Sequence, residues 1–167
     1  VLAYLMEKTK INAPSAIAIV IIIGLIFGLA QGILIAYLNI QPFIVTLAGM
    51  FFARGMTAII SQEMISITNE TFLSWANKKI TIPLFGIVNK KGAVVYPYIY
   101  PTVIVALIIL VLMFILLKYT KFGRSVYAVG GNEQSALLLG LNVKKIKLQV
   151  YILNGLLCSI GGFLFCL

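Results

Sequence analysis

Residues 121–149 read KFGRSVYAVGGNEQSALLLGLNVKKIKLQ, and the reading of this stretch decides the rest of the chain. It combines charge, paired glycines and a short capped helix, with apolar runs on both sides. Asn132 is placed to cap a helix beginning at Glu133, because its side-chain oxygen accepts an otherwise unpaired backbone N–H. Glu133 sets a negative charge against the positive end of the helix dipole. Gly140 is the stop, since glycine enters the left-handed position after a helix without penalty. The prediction is a helix over 133–139, roughly two turns, with Ala136, Leu137 and Leu139 as an apolar contact surface. Gly130–Gly131 are read as a hinge before it. Asn142, Lys144, Lys145, Ile146 and Lys147 lead back into apolar sequence. The stretch reads as a short helix lying flat at a membrane surface and offered to the water.

Composition agrees with a membrane setting. The chain has 167 residues, 62% of them hydrophobic, and a mean hydropathy of +1.10. Soluble domains are nearer about 45–50% apolar, which excludes an ordinary water-soluble globule. The four carboxylates, Glu7, Glu63, Glu70 and Glu133, all stand outside the long apolar runs, so the net charge of +9 sits in loops. Lysines flank apolar spans, a pattern that suits membrane lipid head groups and not nucleic acid. The chain has no histidine and no aspartate, which removes histidine acid–base chemistry and most metal sites. We therefore expect no catalytic residue, no metal and no cofactor. Cys158 and Cys166 lie eight residues apart on one helix, about 12 Å, too far to bridge. No G-x-x-x-x-G-K-[ST] phosphate loop is present, and Gly130–Gly131 are not read as one.

The expected fold is all-α, a polytopic transmembrane bundle with spans at approximately 14–38, 43–60, 98–118 and 149–167. A loop at 61–97 and a second at 119–148 complete it as one transmembrane domain over 1–167. Residues 1–13 read as a short polar approach. Pro14 opens the first span, which exceeds the roughly 20 residues needed to cross hydrocarbon. Gly24, Gly28, Gly32 and Ala36 recur every four residues, forming a smooth strip that lets another helix approach closely. Asn39-Ile40-Gln41 is a brief break and Pro42 starts the second span. Arg54 stands inside it. Such a guanidinium either faces a polar path or snorkels out near the helix end. In 61–97, Asn69 to Asn77 is expected to form an amphipathic helix with Phe72, Trp75 and Ala76 on one side. Asn89-Lys90-Lys91-Gly92 reads as a hairpin turn. This loop either receives a soluble partner or caps the bundle. Tyr96, Tyr98 and Tyr100 mark a membrane interface. The third span lacks glycine and is expected at the lipid-facing rim. The last span carries Gly155, Ser159 and Gly162 for packing, with Asn154 lining a path or bonding between helices. Because the chain opens at Val1 and closes inside an apolar run, we expect a longer membrane protein around it.

Thr120-Lys121-Phe122-Gly123-Arg124, Tyr127-Ala128-Val129-Gly130-Gly131-Asn132, Ser135-Ala136 and Gly140 resemble the cytoplasmic loop of sugar-type ABC importer permeases. That family includes ribose and galactofuranose permeases. The run QPFIVTLAGMFFARG at 41–55 is a second point of resemblance. The chain differs from the family pattern at Ser135, where alanine is usual, and at Leu139, where a small residue precedes the glycine. The resemblance implies a permease subunit that forms a monosaccharide path in the bacterial inner membrane. It implies an ABC ATPase subunit docked through Asn132, Glu133, Ser135, Ala136 and Gly140, an extracytoplasmic sugar-binding protein and a second permease subunit. Asn39, Gln41, Phe43, Thr46 and Arg54 are then expected to line the path, with Gly24, Gly28, Gly32, Gly155 and Ser159 packing helices. Flanking basic residues tie, Lys118, Lys121, Arg124, Lys144, Lys145 and Lys147 against Lys8, Lys10, Lys78, Lys79, Lys90 and Lys91. Orientation therefore rests on the resemblance alone. A branched-chain amino acid ABC permease and a non-transporting membrane scaffold are the competing readings.

Overall fold

The computed structural model describes residues 2–8, 12–61, 80–81, 87–88, 94–95 and 98–166. Among the described residues, four helices are long and apolar enough to cross a membrane: α2 (Ala13–Ala36), α3 (Pro42–Ile60), α4 (Pro101–Tyr119) and α7 (Val143–Cys166). Between α4 and α7 lie α5 (Lys121–Gly131) and α6 (Glu133–Leu138), and α1 (Leu2–Lys8) precedes the first span. The architecture is an all-α, multi-pass membrane bundle.

Proline opens α2, α3 and α4, within the first two positions of each. There its missing N–H costs no hydrogen bond and its fixed φ already suits a helix. The core of the bundle is the pairing of α2 with α7. A Cβ built on Gly24 runs into Ser159 Oγ and lies 2.8 Å from the Gly155 carbonyl oxygen. On Gly28 it meets the Tyr151 carbonyl oxygen at 2.5 Å, and on Gly32 it comes to 2.9 Å from Leu148 Cδ1. From the other side, a Cβ on Gly155 lies 2.9 Å from Gly28 Cα. Ser159 donates its hydroxyl to the Gly155 carbonyl at 2.8 Å, so this buried polar side chain of the seam is satisfied within its own helix. The contacts descend along α7 as they ascend along α2, which makes the two helices antiparallel. Lys144 continues the order, its Nζ lying 6.0 Å from the centre of the Tyr37 ring. The turn at 37–41 and the segment 120–142 therefore share one end of the bundle.

Several boundaries differ from the sequence reading. Residues 1–13 are not merely polar: Leu2 and Met6 of α1 are buried with Ala13 and Ala16, and Leu5, Ile17, Val20 and Phe163 pack around them. The third span starts at Pro101, because Tyr98–Ile99 pairs antiparallel with Ile80–Thr81. Ile87–Val88 pairs with Val94–Val95, the ladder expected of a hairpin, although the turn residues 89–92 lie outside the described set. The expected helix at 69–77 and the interfacial Tyr96 also lie outside it. The last span begins at Val143, six residues before 149. Asn142 caps it, its Oδ1 accepting from Lys145 N–H at 3.1 Å, and lysine is a good helix former. No residue of α4 is buried, and Gly161 and Gly162 face open space.

The seam makes a prediction. Gly28→Ala forces a Cβ against backbone and should cost at least about 1–3 kcal/mol, the usual scale of overpacking. Gly161→Ala, whose Cβ meets open space, should not destabilise and should gain up to about 1 kcal/mol of helix propensity. Thermal unfolding of the full-length protein in detergent measures both, and equal midpoints would mean that the seam does not hold the bundle together.

Candidate functional site

The segment from Thr120 to Asn142 is a chain of caps. Thr120 donates its hydroxyl to the Leu116 carbonyl at 2.6 Å and accepts the Gly123 N–H at 3.2 Å, closing α4 and opening α5 at one residue. Gly123 has no room for a side chain, since a Cβ there would enter the Leu117 backbone. At the far end Asn132 works twice. Its N–H reaches the Ala128 carbonyl at 3.2 Å, ending α5, and its Oδ1 accepts the Ser135 N–H at 2.9 Å, starting α6. Gly130–Gly131, expected as a hinge, are instead the last residues of α5. The reason is that a second cap follows at once, so the helix can run through them to Asn132.

The stop at Gly140 has a specific geometry. Gly140 sits at φ +78, its N–H bonds to the Leu137 carbonyl at 2.9 Å, and the Leu141 N–H bonds to the Ala136 carbonyl at 3.1 Å. This pair of bonds around a left-handed residue is the Schellman termination, which satisfies carbonyls a free helix end leaves orphaned. The α6 helix ends at Leu138, with Leu139 as its cap.

Ala136 is buried at 1% exposure, whereas Leu137, Leu138 and Leu139 are 56%, 90% and 76% exposed. Three consecutive bare leucines on a segment fixed at both ends form an apolar surface presented away from the bundle. Tyr127 on α5 is exposed as well. The sequence reading had Ala136 on that surface, but the structure puts it on the inner side. It also left Leu138, the most exposed of the three leucines, out of the contact set. Glu133 Oε2 meets Lys147 Nζ at 2.7 Å, an ion pair from α6 to the first turns of α7. Lys147 was passed over because its partner lies fourteen residues away in sequence, beyond any local spacing rule.

The expected path residues fall in separate places. Asn39 adopts φ +53 in the turn after α2, a left-handed conformation that asparagine tolerates. Gln41 precedes α3 as its cap residue, with its carbonyl accepting Ile44 and Val45 N–H groups. Phe43 is exposed, and Thr46 donates its hydroxyl back to the Pro42 carbonyl at 2.9 Å. Arg54 is exposed on α3, twelve residues beyond Pro42, roughly 18 Å along the axis. Asn154 is exposed on α7, and Cys158 and Cys166 are free thiols. Between α2 and α3 lies a groove of about 440 Å³ lined by Phe27, Gln31, Leu34, Val45, Gly49 and Phe52 among others. The Phe27 and Phe52 rings stack there, centroids 6.4 Å apart, and Gln31 fills the space a Cβ on Gly49 would need. Gln31 was missed, and its signal was an amide inside an otherwise apolar span.

The family model described as branched-chain amino acid transport system / permease component matches residues 1–167. The chain belongs to this permease family. Its relatives agree with the resemblance read from the loop. The fructose import permease protein FruG of Bifidobacterium longum is 35% identical over 160 residues, covering 96% of this chain and 46% of the relative. The inner membrane ABC transporter permease protein YjfF of Escherichia coli is 33% identical over 150 residues, 90% of this chain and 42% of its own length. The ribose import permease protein RbsC of the same species is 34% identical over 155 residues, 93% and 45%. The chain thus spans a little under half the length of these relatives. No solved structure matches it. The family is one of transporter permease components and not of catalytic enzymes.

The caps make α6 locally fragile at two points. Asn132→Ala removes the N-terminal acceptor and Gly140→Ala places a Cβ at positive φ, each costing about 1 kcal/mol. Amide exchange over 133–141 should then accelerate about five-fold, with exchange in the seam near Gly155 unchanged. Equal acceleration throughout α7 would mean that the loop and the seam unfold together.

Proposed function

We propose that this chain is the membrane-embedded permease part of an ATP-driven importer for a monosaccharide in the bacterial inner membrane. The observation that carries the reading is α6: a capped helix, pinned on its inner side, that shows Leu137, Leu138 and Leu139 to the water. Nothing else in the described chain repays the cost of holding three leucines there. A soluble partner that covers them gains on the order of 25 cal/mol for each Å² of apolar surface removed from water. We read that partner as a separate ABC ATPase, the one that the resemblance of the loop implies; residues 1–167 themselves carry no phosphate-binding loop. In this reading α6 faces the cytoplasm, and Asn132, Glu133, Ser135, Ala136 and Gly140 shape and seat it. ATP-driven closure of two ATPase subunits moves α6, and the packed helices rock to open the path on alternate sides. An extracytoplasmic sugar-binding protein delivers the substrate to the opposite face, and a second permease subunit completes the path.

Import of branched-chain amino acids is the second reading, favoured by the description of the family model. The sugar reading stands on the fructose, ribose and galactose import permeases among the relatives. Uptake by the full-length protein with its ATPase and receptor discriminates them: a monosaccharide should compete with labelled substrate and leucine should not. The scaffold reading is tested by docking. Leu138→Glu should reduce co-purification of the ATPase at least ten-fold while leaving the permease in the membrane, because it puts a charge at the most exposed point of the apolar surface. Undiminished co-purification would remove α6 from the docking interface.

A further inference from the structure

We infer that Lys147 is a positioning residue that fixes the angle of α6 on α7, so that a push on α6 is delivered to the glycine seam. The inference rests on the docking role just proposed and adds where the force goes. The observations form a continuous path. Glu133 at the start of α6 is paired to Lys147 Nζ at 2.7 Å. Leu148, the next residue of α7, packs on Gly32 of α2, and Tyr151, Gly155 and Ser159 continue against Gly32, Gly28 and Gly24. From Lys147 to Ser159 the seam runs twelve residues, roughly 18 Å, nearly two-thirds of a bilayer core. Ala136 on α6 and Val143 and Ile146 on α7 are buried around the joint.

The ion pair matters because the covalent joints do not set the angle alone. The α6 helix has six residues and connects to α7 through Leu139, Gly140, Leu141 and Asn142. The left-handed Gly140 lies in that connection. Such a joint ends the helix cleanly but resists bending weakly. The Glu133–Lys147 pair spans the opposite end of α6, so the helix is held at both ends and transmits displacement as a lever. Backbone-to-backbone contact in the seam leaves little slack between α7 and α2. The two spans then move as one body. Only Val45 is buried in α3 and nothing in α4, so neither is locked to that body in this way.

The pair is partly solvated, with Lys147 30% and Glu133 51% exposed, so its effect is modest. Lys147→Gln in the full-length permease, reconstituted with its ATPase and receptor, should keep the ATPase bound. The ratio of substrate-stimulated to basal ATP hydrolysis should fall about two- to five-fold, the range of a surface ion pair. Glu133→Gln should lower the ratio to a similar extent per bound ATPase, Lys147→Arg should retain the ratio, and the swap Glu133→Lys with Lys147→Glu should recover at least half of the loss. A ratio unchanged in Lys147→Gln, or a swap no better than either single charge reversal, overturns the inference. Leu138→Glu separates this from the docking role. If it releases the ATPase while Lys147→Gln leaves the ratio intact, docking stands and the positioning role falls. If Leu138→Glu leaves the ATPase bound, docking fails, and a drop in Lys147→Gln has no lever to act through.

Discussion

The structure depends on two helices touching backbone to backbone. In lipid there is no hydrophobic gain from bringing apolar helices together, because acyl chains are as apolar as leucine. Association has to come from close packing, and close packing needs the absence of side chains. The repeat of Gly24, Gly28 and Gly32 on α2 supplies that absence, and Gly155 and Ser159 on α7 match it. A serine at the edge of the seam is tolerated because its hydroxyl is spent on the Gly155 carbonyl of its own helix. Elsewhere α2, α3 and α4 keep large apolar residues on their outer faces, as helices must when lipid or further protein surrounds them.

The loop is built on the end of that seam and inherits its rigidity. Each junction from Thr120 to Asn142 is closed by one side chain that does the capping: Thr120 for α5, Asn132 for α6, Asn142 for α7. Such caps cost little in sequence and fix direction, because a helix that starts on a defined hydrogen bond has no freedom to start a residue later. The result is an amphipathic hook whose inner side is buried and whose outer side is three leucines. A helix this short would not persist in water alone. Its order comes from the two caps and from the span on which it is seated.

Much of this was legible in the residues. The four spans followed from apolar length, the seam from glycines four apart, and α6 from an asparagine and a glycine at cap spacing. What failed did so for identifiable reasons. The first turns of α7 carry Lys144, Lys145 and Lys147, and charge was read as loop although lysine favours helix and only burial opposes it. At 130–131 the glycines suggested a hinge, yet helix propensity costs only about 1 kcal/mol per glycine when a cap follows. Leu2 and Met6 lay in a stretch classed as polar by its lysines, although they share a helical face. Pairings across long separations, Glu133 with Lys147 and Gln31 with Gly49, leave no periodic trace in one sequence.

The seam also constrains where a solute can pass. No path can run between α2 and α7 along Gly24–Gly32, since backbone fills that space. The proposed route therefore belongs on the side of α3, whose single buried residue, Val45, leaves most of its surface uncommitted within this chain. Along α3 the polar groups are spread: Gln41 at the end shared with α6, Arg54 near the opposite end. Thr46 lies between them with its hydroxyl already given to the Pro42 carbonyl. Asn39 is accounted for by its left-handed turn, which serves the chain reversal whether or not a solute touches it. What remains between the two ends of α3 is the groove with Gln31 against Gly49, flanked by the stacked rings of Phe27 and Phe52. An amide held in hydrocarbon is costly unless something polar meets it. Gln31 is thus the residue of α2 whose presence packing alone does not explain, and it stands in the groove shared with α3, beside the seam.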